Sequence, residues 1–172
     1  MAPVLKTGDP KGSVGSNPTP SSIYFIIRVY YTLIMLPAVQ GQLGLVNAIK
    51  VLTEKGYTVS VPLIDNQDYD LVVEVDKVLK KVQVKSSATK AASGNYIFQI
   101  KKVRANRTCS IIHKFDNTSV DYLFLYVVGG NGYFIPASEV TTTSTITLTK
   151  DLEKYCIGVV STASTSDSKS ES

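Results

Sequence analysis

Two runs of alternating apolar residues, separated by only two residues, constrain the fold of this chain most. The first run covers residues 69–75 and the second covers residues 78–85, with Asp76 and Lys77 between them. Valine, leucine and tyrosine at alternate positions suit a pleated surface that is buried on one side. A two-residue connection is typical of a β-hairpin. We therefore predict an antiparallel hairpin here.

The hairpin carries polar residues that a purely structural strand does not need. Side chains two apart on a strand point to the same face, so Gln83 and Lys85 project together. Asp70 begins the partner strand, and the pairing can bring its carboxylate beside them. Burying an acid, an amide and a lysine is costly unless they have a function. Such a set is typical of a metal-dependent nuclease site. The structural alternative is that Asp70 only begins a strand and that Gln83 and Lys85 are surface residues without a function.

The basic residues are concentrated in one segment. The net charge is only +4, but ten of the 18 Lys and Arg residues lie between Lys77 and Lys114, a stretch without Asp or Glu. A solvated surface usually mixes both signs, so a segment of one sign favours a polyanionic partner, with nucleic acid as the first candidate. The alternative is a basic surface that contacts only solvent.

The cysteines and the histidine limit the kinds of site. Cys109 and Cys156 lack the paired spacing of zinc and redox motifs, which indicates reduced thiols in a cytosolic protein. His113 is the only histidine, so a cluster of histidines cannot bind a metal. We expect a structural or surface role for His113, with phosphate contact as the alternative.

The two ends of the chain differ in composition from the middle. Residues 1–22 are rich in Gly, Pro, Ser and Thr, and residues 161–172 form a Ser/Thr-rich tail, both typical of disorder. Residues 23–36 are apolar but contain Arg28, and a membrane helix usually needs about 20 residues. We expect residues 1–38 to be an extension outside a folded domain at 39–160. A membrane anchor is the weaker alternative.

The extension also has an explanation at the level of the gene. Gly15-Ser16-Asn17-Pro18 is one translation of the conserved T-arm sequence of transfer RNA genes. This predicts a start that was assigned too early, with Met35 as the initiating residue. N-terminal sequencing of the native protein that gave Met1 or Ala2 would contradict it.

The rest of the chain alternates helical and strand patterns. Apolar residues at helical spacing over 41–55, followed by Gly56 as a cap, predict a helix. A near-continuous apolar run at 120–128 and a glycine-rich turn predict a second hairpin, whose first strand is covered on both faces. Further strands are predicted at 57–62 and 96–101, loops and connectors at 86–95, 102–110 and 111–118, and a short helix at 136–140. The pattern predicts an α/β domain with a central mixed sheet.

These segments resemble a known family. The similar segments are Gly-Gln-Leu-Gly at 41–44, Gly-Tyr-Thr-Val at 56–59, Pro62, Asp-Asn-Gln-Asp-Tyr-Asp-Leu-Val-Val at 65–73 and Val-Gln-Val-Lys at 82–85. This series is similar to the PD-(D/E)xK nuclease superfamily, in particular to the branch with group I intron homing endonucleases. The resemblance covers about residues 41–136. It implies an α/β, restriction-endonuclease-like core, in which helices flank a central mixed β-sheet.

The resemblance also implies a role for each site residue. Asp70 would bind a divalent ion together with Gln83, which stands where most of the superfamily has Asp or Glu. The backbone carbonyl of Val84 would be the third ligand. Lys85 would orient or deprotonate the attacking water. Mg²⁺, or Mn²⁺ in its place, suits such oxygen ligands.

One position departs from the family pattern. Family members commonly carry an acid near the start of the first helix, where this chain has Gln42, or Leu45 in the other register. Asp70 is then the one certain acid of the site. A second carboxylate could come from Asp65 or Asp68 in the preceding loop, or from Glu74 on the same strand face. Glu74 is the weaker candidate because it lies roughly 13 Å from Asp70 at about 3.3 Å per residue.

The implied function is a metal-dependent DNA endonuclease that hydrolyses phosphodiester bonds. A homo-oligomer, either a dimer or a tetramer, is expected because cutting both strands requires two sites. We expect a cytoplasmic protein without a small-molecule cofactor. The alternative is a degenerate nuclease fold that binds DNA or RNA without cleavage. Candidates for contacts with phosphates or bases are Lys90, Lys101, Lys102, Arg104 and Arg107.

Overall fold

The structure is a computed structural model that describes residues 22–27, 36–64, 66–105 and 110–159. The chain divides into two units, residues 1–33 and residues 34–172. In the first unit, residues 22–27 are helical. Several sequence predictions fall outside the described residues, namely those on residues 15–18, Met35, Asp65, Arg107, Cys109 and residues 161–172. Within the described ranges, no helix combines the length and the apolar character needed to cross a membrane.

One long helix, α1 (Pro37–Glu54), packs against the main sheet. It begins four residues before the predicted start at 41, because a proline at the first helical position already has the φ angle of a helix. The helix ends before Gly56, whose φ of +85° is the left-handed conformation of a C-terminal cap. The predicted cap is therefore confirmed. The buried residues of the helix are Gly44, Ala48, Val51 and Leu52.

In the described residues, ten strands follow α1. They are β1 (Thr58–Ser60), β2 (Leu71–Val75), β3 (Val78–Ser87), β4 (Ile97–Gln99), β5 (Lys102–Ala105), β6 (Ser110–His113), β7 (Tyr122–Val127), β8 (Asn131–Pro136), β9 (Thr145–Thr147) and β10 (Cys156–Val159). Two 3-10 helices, Ala137–Glu139 and Lys150–Tyr155, flank β9. The first of them lies in the segment for which the sequence predicts a short helix.

Six strands form the central sheet, in the order β1-β2-β3-β7-β8-β10. The central pair, β3 and β7, runs parallel, and all other neighbours run antiparallel. The mixed central sheet predicted from the sequence is thus confirmed. Two small sheets, β4-β9 and β5-β6, lie outside it.

Both predicted hairpins are present. Asp76 and Lys77 join β2 to β3 and have φ angles of 51° and 66°. Positive φ angles at both residues are required in a two-residue turn whose twist matches that of the strands. The register pairs Val75 with Val78 and Leu71 with Val82. The glycine-rich turn likewise joins β7 to β8 in an antiparallel pair.

Two segments differ from the sequence predictions. Residues 102–110 and 111–118, predicted as a loop and a connector, contain the antiparallel ribbon of β5 and β6. The segment after residue 140 had no assigned strand, yet β9 pairs with β4 and β10 extends the main sheet beyond β8. Both differences have the same cause: these strands are only three or four residues long, so they show little apolar alternation and depend on their partners.

The central sheet is covered on both faces. On one face, α1 packs on Val82 and Phe124. On the other face, Leu123 and Leu125 of β7 contact a second core that includes Phe98 of β4 and residues of the loops. The prediction that the 120–128 strand is covered on both faces is confirmed. Because Val82 points towards α1, alternation along β3 turns Gln83 and Lys85 to the opposite face.

Candidate active site

Asp70 lies beside β3, where the regular pairing of the first hairpin ends. Its backbone N–H donates to the carbonyl of Val82 at 2.9 Å. Its carboxylate oxygen Oδ2 accepts a hydrogen bond from the backbone N–H of Val84 at 2.7 Å. The carboxylate therefore accepts the hydrogen bond that a backbone carbonyl of a neighbouring strand would otherwise accept. This bond to Val84 of β3 fixes the orientation of the carboxylate.

Gln83 is almost fully buried, with 3% of its surface exposed. Its amide nitrogen Nε2 donates to the backbone carbonyl of Asp68 at 3.0 Å. Its amide oxygen Oε1 is buried and has no hydrogen-bond partner among the described residues. An unpaired buried oxygen costs about 1–3 kcal/mol, so such a group usually marks a place where an ion, a water or a ligand binds.

Lys85 lies two residues further along β3. Burial lowers the pKa of its ammonium group below the usual 10.5, the charge of Asp70 opposes this change, and the charge of Lys102 adds to it. The lysine and Asp70 therefore interact electrostatically. A lysine with a lowered pKa is more easily deprotonated than one in water.

Lys102 connects the second ribbon to this site. Its Nζ lies 3.1 Å from Oδ1 of Asp68 and 3.4 Å from the carbonyl of Gln67. The same Asp68 accepts the amide hydrogen of Gln83 through its backbone carbonyl. The loop before Asp70 is thus held by a side chain of β5 from outside and by the amide of Gln83 from inside.

Two clefts border β3 on either side of the predicted residues. The first, of about 320 Å³, is lined by Asp68, Gln83, Ile100, Lys102, His113, Lys114, Phe115, Asp116 and Ser119. The second, of about 560 Å³, is lined by Pro37, Gln40, Gly41, Val84, Lys85, Ser86, Ser87, Thr89, Ile97 and Gln99. Of the three predicted residues, Gln83 lines the first cleft, Lys85 lines the second, and Asp70 lines neither of the two.

The start of α1 meets the site through Gln40. Gln42 is exposed and lines neither cleft, whereas Gln40 lines the cleft of Lys85 and its carbonyl accepts a hydrogen bond from Ser86 Oγ at 2.6 Å. Gln40 lies one turn before the buried Gly44, on the face that packs on the sheet, and Gln42 lies about 200° around the helix from it. The sequence analysis missed Gln40. The proline at 37, which sets the true helix start, was the available signal.

A close approach holds this end of the helix in place. A side chain on Gly44 would bring a Cβ within 2.9 Å of the Cβ of Ser86, so only glycine allows α1 to lie this near β3. The helix start and Lys85 are consequently fixed relative to each other.

The five predicted nucleic-acid contacts have different environments. Lys102 lines the first cleft and pairs with Asp68. Lys90 is exposed and lies over the ring of Tyr96, with Nζ 4.8 Å from the ring centroid. Lys101 is half-buried. The backbone of Arg104 belongs to β5. Two further residues line the first cleft: Lys114, which was not among the predicted contacts, and His113, for which phosphate contact was the alternative.

The donor atoms fit an oxygen-ligated divalent ion. The Asp70 carboxylate, the Gln83 amide oxygen and the Val84 carbonyl are hard oxygen donors of the type that Mg²⁺ prefers. The described residues contain no group of three or more His, Cys, Asp or Glu side chains that could hold a metal ion. An ion here would therefore be bound by one carboxylate and by neutral oxygens.

Comparison with known proteins agrees with this arrangement. The family model described as PD-(D/E)XK endonuclease matches residues 35–155. The chain belongs to this family. A solved structure, the bacterial homing endonuclease I-Ssp6803I, matches with a TM-score of 0.58 and 30% identity, over 66% of this chain and 78% of that chain. A comparison with curated proteins gives no match.

The residues matched by the family model include α1, all of the first hairpin and both clefts. The family and the restriction-endonuclease-like α/β fold predicted from the sequence are both confirmed. The assigned roles of Asp70, Gln83 and Lys85 remain predictions.

Proposed function

We propose that this PD-(D/E)XK endonuclease hydrolyses DNA phosphodiester bonds with a divalent ion, Mg²⁺ or Mn²⁺, held by Asp70, Gln83 and the carbonyl of Val84. The observation that carries the proposal is the buried, unpartnered Oε1 of Gln83 on the strand that also fixes the Asp70 carboxylate. When bound, the ion would polarise the phosphoryl oxygen and lower the pKa of its water.

Lys85 supplies the proton acceptor at Nζ. Its lowered pKa, which burial causes, increases the neutral fraction of the amine at a given pH. In its charged form, the same amine offsets the negative charge that develops on the phosphate. The negative charge of Asp70 opposes the effect of burial on this pKa and so favours the charged form of the amine.

DNA as the substrate is supported by the acid-free basic segment and by the similarity to a structure titled as a homing endonuclease. Cutting both strands would require two copies of the site, which a dimer or tetramer of this chain supplies. Outside the reacting residues, contacts to phosphates or bases are assigned to Lys90, Lys101, Lys102, Arg104 and Arg107.

Plasmid nicking tests the proposed reaction. The full chain is incubated with supercoiled plasmids of mixed sequence and Mg²⁺, and relaxed circles are measured over time. We expect Lys85→Ala to lower the nicking rate by about 10²–10⁴-fold, the usual contribution of a positioned acid–base group. Chelation of the metal is expected to stop the reaction.

The matched control is Lys50→Ala. Lys50 lies on α1 in an exposed pair with Glu54 and lines neither cleft. Its replacement by alanine removes the same charge as Lys85→Ala. It is expected to leave the rate unchanged. Equal rates for wild type, Lys85→Ala and Lys50→Ala would disprove the role of Lys85.

Binding without cleavage is the second candidate function. The first turn of α1 has no acidic residue, so the metal site described above contains a single carboxylate. A protein of this kind would bind DNA or RNA with an affinity that falls steeply with salt and would nick no plasmid in Mg²⁺ or Mn²⁺. Metal-dependent nicking at any salt concentration would exclude it.

A further inference from the structure

The rim of the first cleft carries two basic side chains that the proposed reaction does not use. His113 is the last residue of β6, Lys114 follows it, and both are exposed. Neither side chain has a hydrogen-bond or ion-pair partner among the described residues. A ligand can therefore contact them without breaking an internal interaction.

The register of the second ribbon, β5-β6, places the side chain of His113 at the first cleft. Lys102 of β5 pairs directly with His113 of β6. Side chains of directly paired residues lie on the same face of a ribbon, and both of these line the first cleft. The cleft also contains Gln83, so the ribbon holds its polar groups over the predicted metal ligand.

The charges around the cleft leave one free cation among the described lining residues. Lys102 is neutralised by Asp68 at 3.1 Å. Asp116 accepts hydrogen bonds from the backbone N–H and the hydroxyl of Thr118, at 2.9 and 2.7 Å, and these bonds lower its pKa and keep it ionised. Lys114 has no such partner, so its ammonium group is available to an anion.

The floor of the cleft is apolar. Ile100 and Phe115 are both buried there and belong to the second core. A cleft of about 320 Å³ is at the lower end of the range of roughly 300–1,000 Å³ for small ligand sites. It has room for one sugar-phosphate unit, with a polar rim for the phosphate and an apolar floor for the sugar.

We propose that His113 and Lys114 form a subsite for a backbone phosphate of the nucleic-acid strand next to the bond that is cut at Asp70 and Gln83. The ligand is a phosphodiester group and not a base, because a lysine and an imidazole with no fixed partners position a strand without reading its sequence. The inference rests on the proposed function only in placing that bond beside Gln83.

Salt-dependent binding tests the subsite without any cleavage. The full chain is titrated into a labelled duplex oligonucleotide of mixed sequence in EDTA, and again in Ca²⁺, over a series of NaCl concentrations. Each lost phosphate contact reduces the slope of log K against log salt by about 0.9. We expect this reduction for Lys114→Ala and none for Lys50→Ala, which removes the same charge from a residue that does not line the cleft.

A second pair of variants protects the test against misfolding. Asp116→Asn keeps the acceptor for Thr118 but removes the negative charge from the rim, so it is expected to bind DNA more tightly than wild type. His113→Ala is expected to bind more weakly at every salt concentration. Circular dichroism and thermal unfolding check that each variant is folded.

The outcomes separate this inference from the proposed function. A reduced slope for Lys114→Ala supports the subsite even if the wild type nicks no plasmid. An unchanged slope in a protein that does nick plasmids overturns the subsite and leaves the reaction intact. Absence of DNA binding in both EDTA and Ca²⁺ also overturns it.

Discussion

The two ribbons that meet at the first cleft, β2-β3 and β5-β6, are built in contrasting ways. The first lies inside the six-stranded sheet, with β1 on one side and β7 on the other. The second is a two-stranded sheet of its own. Leu71 and Val82 of the first are fully buried, whereas Ile112 of the second is 58% exposed.

The contrast teaches how a site can combine rigidity with access. The embedded ribbon fixes Asp70 and Gln83 by hydrogen bonds to backbone groups and by the packing of Leu71, Val73 and Val82 in the core under α1. The peripheral ribbon contributes Lys102 and His113 to the rim, and the described apolar side chain of the ribbon, Ile112, is exposed. An isolated two-stranded ribbon is only marginally stable, so its position depends on contacts such as that of Lys102 with Asp68.

Truncation of one apolar residue in each ribbon should give the largest difference. Leu71→Ala removes a fully buried side chain and is expected to lower the free energy of unfolding by about 2–5 kcal/mol. Ile112→Ala, at an exposed position, is expected to change it by no more than about 0.5 kcal/mol. Urea unfolding of both variants measures this, and equal losses would show that the second ribbon is packed as tightly as the first.

Removal of the link between the ribbons should have the next largest effect. Lys102→Ala frees Asp68, whose carbonyl holds the amide of Gln83, so the metal ligand is less well oriented. The Mg²⁺ concentration for half-maximal nicking is expected to rise by about 10–100-fold, as is usual when a residue that orients a ligand is lost. Lys102→Arg, which keeps the charge, should recover most of the affinity.

Lys80→Ala is the control for this prediction. Lys80 pairs with Asp121 at 3.4 Å and its side chain is 32% exposed, against 28% for Lys102, but it lines neither cleft. Its loss should leave the Mg²⁺ requirement unchanged. If both variants require more Mg²⁺ to the same degree, the effect comes from general charge and not from the loop.

Replacement of the half-buried Lys85 should have the smallest effect on stability, and this effect should be stabilising. Burial lowers the folded-state pKa of Lys85, so at pH values below that pKa the charged lysine destabilises the fold. Between the folded-state pKa and 10.5 the unfolded chain binds more protons, so stability rises with pH. The penalty disappears as the pH rises towards 10.5. Lys85→Met should therefore raise the melting temperature of the metal-free protein at pH 7 slightly, while it lowers nicking as Lys85→Ala does. A lower melting temperature for Lys85→Met would contradict this.

The sequence by itself determined the first hairpin and the residues on its face. A two-residue turn and a period of two are local properties, so Asp76 and Lys77 fix the register and alternation then groups Gln83 with Lys85. The family resemblance rested on the same segments. The helix was also predicted from local spacing, but Pro37 sets its start. The side chain of α1 that lines the second cleft is therefore Gln40 and not the predicted Gln42.

The tertiary structure alone decided which distant residues surround the hairpin. Residues 102–118 have no apolar period that could place them, yet their ribbon brings Lys102, His113 and Lys114 over Gln83. Their positions depend on contacts between residues far apart in the chain, such as Lys102 with Asp68. Local patterns can specify a strand and its faces, but not which loop will pack against it, because that depends on the summed energy of many non-local contacts.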